Sequence, residues 1–198
     1  MQQAEVINIL KKDLNFANES VEKLKKFKDL VISENKNHNL IAKSTESQIW
    51  ARHILDSAQL VKFIDFKLNS LADLGSGAGF PGLVIDIFNK NRDFHVKLYE
   101  KSPVKRQFLN RVIEVLKLNA KVFGDVRHQT LDADILVCRA FKKLDHVIQV
   151  SREIAKKPHK LMILKGQNAH EEIKKSFKKQ KYPYKLETSM TNKDSKII

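Results

Sequence analysis

Three glycines, Gly75, Gly77 and Gly79, stand directly after a short apolar run at residues 70–74 and directly before an amphipathic stretch. Glycine at such a junction lets the backbone bend tightly and approach a bound nucleotide closely. A dinucleotide fingerprint would need a further glycine three residues after Gly77, and Phe80 holds that position, so hydride-transfer cofactors are disfavoured. Glu100 closes the next apolar run, where an acid accepts hydrogen bonds from both hydroxyls of a ribose. Gly124, Asp125, Val126 and Arg127 follow a third run, in the loop that would flank an adenine ring, with Asp125 placed to accept from the adenine amino group.

Read in full, Asp73 to Gly79 is Asp-Leu-Gly-Ser-Gly-Ala-Gly, which resembles the first motif of S-adenosylmethionine methyltransferases. Their ligand brings a carboxylate and an ammonium instead of a pyrophosphate, and Asp73 is placed to meet that ammonium through a bridging water. Amino-group methylases generally carry Asn or Asp and two prolines after the fourth strand, whereas here the chain reads Cys138, Arg139, Ala140, Phe141. A thiolate at Cys138, its pKa lowered by Arg139, would suit cytosine C5 chemistry. A free cysteine ending a buried strand is more often a small core residue, and no proline precedes this one.

These residues need elements to position them. From residue 70 onward, short apolar runs alternate with amphipathic stretches, the pattern of a parallel sheet with helices on its faces. Strands are expected at 70–74, 95–99, 120–123, 135–138 and 160–164. Helices are expected from about Phe80 with Pro81 in the first turn, from a Ser102 cap with Pro103, over 144–156, and after Asn168. Residues 184–190 and 195–198 resemble a closing antiparallel hairpin. The first 66 residues read as helical, with Asn18 and Ser20 as possible caps before the Val21, Leu24, Phe27, Leu30 and Val31 stripe. A further helix is expected from Ser44 or Thr45 to about Phe63, with Thr45 and Gln48 at capping-box spacing. Within it Arg52 and Asp56 stand at i, i+4 and can pair, with His53 beside them. Trp50 and most phenylalanines read as core.

Composition bounds the partners. The 198 residues carry a formal charge of +14, which attracts polyanions, nucleic acid first. Part of that excess also reads as lysines solvating helix faces, as with Lys174, Lys175, Lys178 and Lys179 opposite Ala169, Ile173 and Phe177. No apolar run approaches the roughly 18 residues of a membrane span, and Glu5 stands where a secretory signal would be basic. One cysteine permits no internal disulfide and no cysteine metal cluster, so no metal is expected.

Several separated motifs together resemble one family, the bacterial small-subunit ribosomal RNA guanine-N7 methyltransferases, also named glucose-inhibited division protein B. They are Asn39 and Leu40; Arg52, His53, Asp56 and Ser57; Asp73 to Gly82; Lys105, Arg106, Phe108 and Leu109; Arg139, Ala140 and Phe141; and Lys165 with Gly166. The resemblance implies a Rossmann-like class I methyltransferase, α/β, with a seven-stranded mostly parallel sheet, an antiparallel C-terminal hairpin and an N-terminal helical extension. The extension would span 1–66 and the core 67–198 of one methyltransferase domain. It implies S-adenosylmethionine as cofactor, contacted by Gly75, Phe80 and Arg139 with Val126 and Arg127 beside its adenine; Asp73, Gly77, Glu100 and Asp125 complete the expected cofactor set from their own positions in the chain. It implies N7 of a guanine in the decoding-region loop as acceptor, positioned by Arg139 or Lys165, with Asn39, Arg52, His53 and Asp56 supporting the mouth of the site. The family usually places Arg, a small apolar residue and Glu in the adenine loop, and here the charges of Asp125 and Arg127 stand in the opposite order. The expected partner is small-subunit ribosomal RNA or the small subunit itself, met by a cytoplasmic monomer without membrane attachment. The runners-up are methylation of another nucleic-acid atom and a non-enzymatic ribosome-binding protein with a vestigial cofactor fold.

Overall fold

A computed structural model describes residues 1–177 and 183–198. Among these residues seven strands form one sheet in the order β3-β2-β1-β4-β5-β7-β6. The strands are β1 (Ser70–Leu74), β2 (His95–Tyr99), β3 (Lys121–Phe123), β4 (Ile135–Arg139), β5 (Lys160–Lys165), β6 (Glu187–Thr188) and β7 (Lys196–Ile197). The first five run parallel, and β7 returns antiparallel between β5 and β6. Every residue of β1 is buried, as are the first four of β4, because helices cover both faces and leave no polar side for alternation. After β1 the chain builds outward to β3, then crosses back to place β4 on the other flank of β1. That reversal opens a crevice at the carboxyl ends of β1 and β4, the place where such sheets bind ligands.

The helix α5 (Pro103–Leu116) begins as its sequence predicts: the Ser102 hydroxyl accepts from Lys105 N, Pro103 stands in the first turn, and Lys117 ends the helix at φ 51°. The helix expected from Phe80 starts later, as α4 (Gly82–Phe88) with Pro81 as its cap. Gly79 N and Phe80 N both donate to Ser76 O, which closes the glycine loop into a turn that the helix cannot absorb. The helices α6 (Leu144–Ile154) and α7 (Ala169–Ser176) fall where expected, α6 ending two residues early. Lys178 and Lys179 lie outside the described residues. The C-terminal hairpin forms, with strands shorter than the sequence suggests.

The helical extension comprises α1 (Gln3–Lys12), α2 (Asn18–Asn35) and an irregular run. Ala17, not Asn18, caps α2, and the Ser20 hydroxyl is buried and donates to Ile87 O across the interface with α4. The single helix expected over 44–63 is instead broken into a 3₁₀ segment (Lys43–Gln48), a π segment (Trp50–Leu55), one α turn, α3 (Asp56–Ala58), and a second 3₁₀ segment (Gln59–Phe63). No capping box forms, because the Thr45 hydroxyl donates to Ala42 O at 2.7 Å. The extension shares its core with the sheet: Phe27 of α2 packs on Phe80 with ring centroids 5.0 Å apart, in one cluster with Leu83 and Leu98. No helix among the described residues is long and apolar enough to cross a membrane.

Candidate cofactor and substrate cleft

The glycine loop is built for close approach. Gly75, Gly77 and Gly79 all take positive φ (77°, 57° and 98°), a region that side-chain-bearing residues rarely enter. A Cβ on Gly75 would come within 2.5 Å of the Phe141 ring, and one on Gly79 within 2.4 Å of Leu83. Gly75 N and Ser76 N both donate to Tyr99 O, which ties the loop to the end of β2. Asp73, fully buried beneath the loop, accepts from Gly82 N at 2.9 Å through Oδ2 and so caps α4 from the strand. Its Oδ1 has no hydrogen-bond partner. Burial pushes this carboxyl up to about 7, against the Gly82 N–H and the Arg139 charge, which pull it down. A buried acceptor of that kind fits an ammonium or a water that carries one. Glu100, 7% exposed, accepts from Gly77 N at 2.9 Å and Ser102 N at 2.8 Å, so one acid joins the loop to the cap of α5.

On the far side of Glu100, Asp125 opens a short 3₁₀ turn (Val126–His128) and accepts from Arg127 N. The Arg127 guanidinium folds back onto both Asp125 oxygens and holds that carboxyl well below the usual range. Val126 is buried between them. The reversed charges of this loop thus neutralise each other locally. Together these groups line a cleft of about 370 Å³, walled by Leu40 and Ile41 of the extension on one side and by residues 139–142 on the other.

Arg139, at the end of β4, carries the joint between core and extension. It donates from Nη1 to Arg52 O at 2.9 Å and from Nη2 to His53 Nδ1 at 2.8 Å, lies 3.8 Å from Asp56, and stands 5.2 Å over the Phe80 ring. Because a guanidinium only donates, His53 Nδ1 is the acceptor, and the ring proton must sit on Nε2. That nitrogen donates to the Thr45 hydroxyl at 2.8 Å, which in turn donates to Ala42 O. Burial and the neighbouring Arg139 and Arg52 charges push His53 down to about 3, so it is neutral and has no vacant acceptor. The Asp56 carboxyl, raised by burial, accepts from Gln59, Ser189 and Thr191, which brings the β6–β7 turn to the same joint.

A family described as rRNA small subunit methyltransferase G, GidB, matches residues 20–197. The chain belongs to this family. Curated relatives, each called ribosomal RNA small subunit methyltransferase G, agree in length as well as in sequence. The protein of Rickettsia bellii is 34% identical over 186 residues, 93% of this chain and 95% of that one. The protein of Pelagibacter ubique is 32% identical over 195 residues, covering 96% and 92%. Among solved structures, a putative O-methyltransferase from Klebsiella pneumoniae superposes with a TM-score of 0.61 at 9% identity, covering 96% of this chain and 93% of that one. Aeropyrum pernix fibrillarin, solved with S-adenosyl-L-methionine bound, gives 0.51 at 14% identity over 65% and 64%. At these identities the structural likeness establishes the fold: the chain has the class I methyltransferase fold.

Within this GidB chain the expected residues divide. Asp73, Gly75, Gly77, Phe80, Glu100, Asp125, Val126, Arg127 and Arg139 converge on the cleft or its floor, and His53 and Asp56 meet Arg139 behind it. The expected Arg52–Asp56 pair does not form. The π segment changes the spacing along this stretch, Asp56 turns to Gln59, Ser189 and Thr191, and the exposed Arg52 contributes its carbonyl to Arg139 instead. Asn39 is exposed, while Asn35 does the local work: its Oδ1 accepts from Leu40 N and Ile41 N, and its amide donates to Glu46. Lys165 stands outside the cleft wall, its ammonium on Glu172 at 2.8 Å and on Lys142 O at 2.7 Å. The thiolate reading of Cys138 is corrected: burial and the nearby Asp73 push the fully buried thiol up to about 12, which leaves it an inert core residue. Sequence reasoning missed Thr45, Gln59, Ser189 and Thr191, whose only signal was to be small or amide polar groups in segments of helical or turn character. Among the described residues no three His, Cys, Asp or Glu side chains gather as a metal site.

Proposed function

We propose that this chain transfers a methyl group from S-adenosylmethionine to N7 of a guanine in the decoding-region loop of small-subunit ribosomal RNA. The observation that carries the reading is one cleft with an unpartnered buried acceptor, Asp73 Oδ1, beneath positive-φ glycines and a strand-end acid, Glu100, beside them. These residues fit the cofactor: Asp73 would meet its ammonium through a water, Glu100 its ribose hydroxyls, and Val126 with Asp125 its adenine. Bound there, the cofactor supplies a methyl group on a cationic sulfur that leaves as a neutral thioether.

Guanine N7 has a lone pair in the plane of the ring and loses no proton when it attacks. A general base is unnecessary, in keeping with His53, whose two ring nitrogens are both engaged and which stays neutral. The chain's task is to hold N7 in line and to tolerate the positive charge that arrives on the base. Arg139 retains guanidinium donors beyond those given to Arg52, His53 and Asp56, and these would take guanine O6 while leaving N7 free. Lys165 acts at one remove, by anchoring the Lys142 carbonyl in the loop after β4. The enzyme works as a cytoplasmic monomer, and its charge of +14 makes RNA binding fall steeply with salt.

The test is methylation of small subunits that lack the modification, with labelled methyl donor, followed by mapping. Label on guanine N7 in the decoding-region loop is expected. Label on another atom or another nucleotide overturns the reading, as does no label together with no cofactor binding by calorimetry.

A further inference from the structure

The cleft must present a base as well as a cofactor, and the geometry of N7 attack dictates how. Because the N7 lone pair lies in the ring plane, a base in line with the methyl group points an edge into the cleft and leaves its two faces unsupported. A flat apolar surface at the rim would fix that plane. Three aromatic residues line the cleft: Phe80, Tyr99 and Phe141. Phe80 is 3% exposed and enclosed by Phe27, His53 and the Arg139 guanidinium, and Tyr99 is 5% exposed and stacked on Phe123. Phe141 alone of the three is half-buried, with part of its surface open.

Its placement is controlled from three sides. Ala140 takes a positive φ of 50°, unusual for a residue with a side chain, and turns the backbone sharply after Arg139. The ring then lies against Gly75, where a Cβ would stand 2.5 Å from its Cδ2 and 3.1 Å from its Cε2. Glycine at that position therefore serves the ring as well as the turn. Just beyond, Lys142 O is fixed by the Lys165 ammonium, itself held by Glu172. A positive-φ backbone, a glycine without a side chain and a half-buried ion pair all specify where one aromatic ring sits.

We infer that Phe141 is the platform on which the acceptor purine stacks, so that the subsite takes an unstacked purine from a single-stranded RNA loop. The inference rests on the methyl-transfer reading above. Stacking of a base on an aromatic side chain is worth about 5- to 100-fold in binding.

The test uses the full chain and an RNA fragment of the decoding-region loop with 2-aminopurine at the acceptor position, with Phe141→Leu and Phe141→Trp as variants. Wild type and F141W should quench the probe on binding, and F141L should not. Single-turnover methylation of unlabelled RNA should fall by about 5- to 100-fold in F141L and recover in F141W, while calorimetric cofactor affinity and thermal midpoint stay unchanged. Full quenching and full rate in a folded F141L overturn the inference. So does a loss of cofactor affinity as large as the loss of rate, which would make the ring a wall of the cofactor site. If wild type labels a different nucleotide, the previous reading falls, and the platform stands or falls on the same F141L comparison with the probe at that nucleotide.

Discussion

Asp73 and Asp86 are two buried acids separated by the length of a short helix and a loop. Each gives one carboxylate oxygen to a backbone N–H, Gly82 for Asp73 and Asn119 for Asp86, and each leaves the other oxygen without a partner. Burial raises both, to about 7 and about 6. Their surroundings differ. Around Asp86, at the amino ends of β2 and β3, the side chains of Asn89, Asn91 and Asn119 donate to the carbonyls of Asn91, Phe94, Phe66 and Arg92. Their capacity goes into tying loops together. Around Asp73, at the carboxyl ends of β1 and β4, positive-φ glycines open the backbone, Glu100 holds loop amides, and Arg139 keeps donors in reserve. A raised carboxyl marks a site only where neighbouring groups can still bind something else.

The largest test of that contrast removes the joint at the carboxyl end. Arg139→Ala leaves Asp56 without its cation and His53 Nδ1 without a donor. Denaturant unfolding should show a loss of about 3–5 kcal/mol, and single-turnover methylation should fall more than about 100-fold. An Arg139 variant as stable and active as wild type would make the two ends equivalent.

His53, behind the cleft, and Asp86 should titrate in opposite directions. His53 binds a proton more readily unfolded than folded, so its contribution is present above about 6.5 and is lost as pH falls; from pH 6.5 to 5, wild type should lose about 2 kcal/mol relative to His53→Gln. Asp86 binds a proton more readily folded, so its contribution is present below about 4 and lost as pH rises through about 6. Wild type should there lose about 2–3 kcal/mol relative to Asp86→Asn, with cofactor affinity unchanged. Slopes of the same sign in stability-against-pH curves for the two variants would break the comparison.

Smaller effects sharpen it. Glu100→Gln keeps the side chain's shape but replaces one of the two oxygens that accept from Gly77 N and Ser102 N with an amide that only donates, and calorimetry should show cofactor affinity about 10-fold weaker, near 1.5 kcal/mol. Thr45→Val removes the hydroxyl that receives the His53 proton, and should cost about 1 kcal/mol in thermal unfolding with cofactor affinity intact.

How much of this was legible in the chain depends on distance along it. The glycine loop, the Ser102–Pro103 start of α5 and the alternation of strands with helices are local consequences of φ preference, capping and apolar period, and they stand where the sequence places them. The 44–63 helix misled because its periodicity was sound while its backbone was not regular: the run breaks into 3₁₀ and π segments, with His53 held by Arg139 and Asp56 by Thr191 from elsewhere in the fold. The start of α4 shifted because Asp73, nine residues back, captures Gly82 N.

By itself the sequence determined that a nucleotide-like ligand meets a strand-to-helix turn, that Glu100 stands at the next strand end, and that the chain carries a net charge of +14. Only the tertiary structure decided what each polar group is spent on. It joined Arg139 to His53 across 86 residues and Asp56 to Thr191 across 135, gave Lys165 to Glu172, and pressed Phe141 onto Gly75. The reason is physical: a hydrogen bond or ring contact has a range of a few ångströms, and which residues fall within it is set by the order of strands in the sheet, not by their order in the chain.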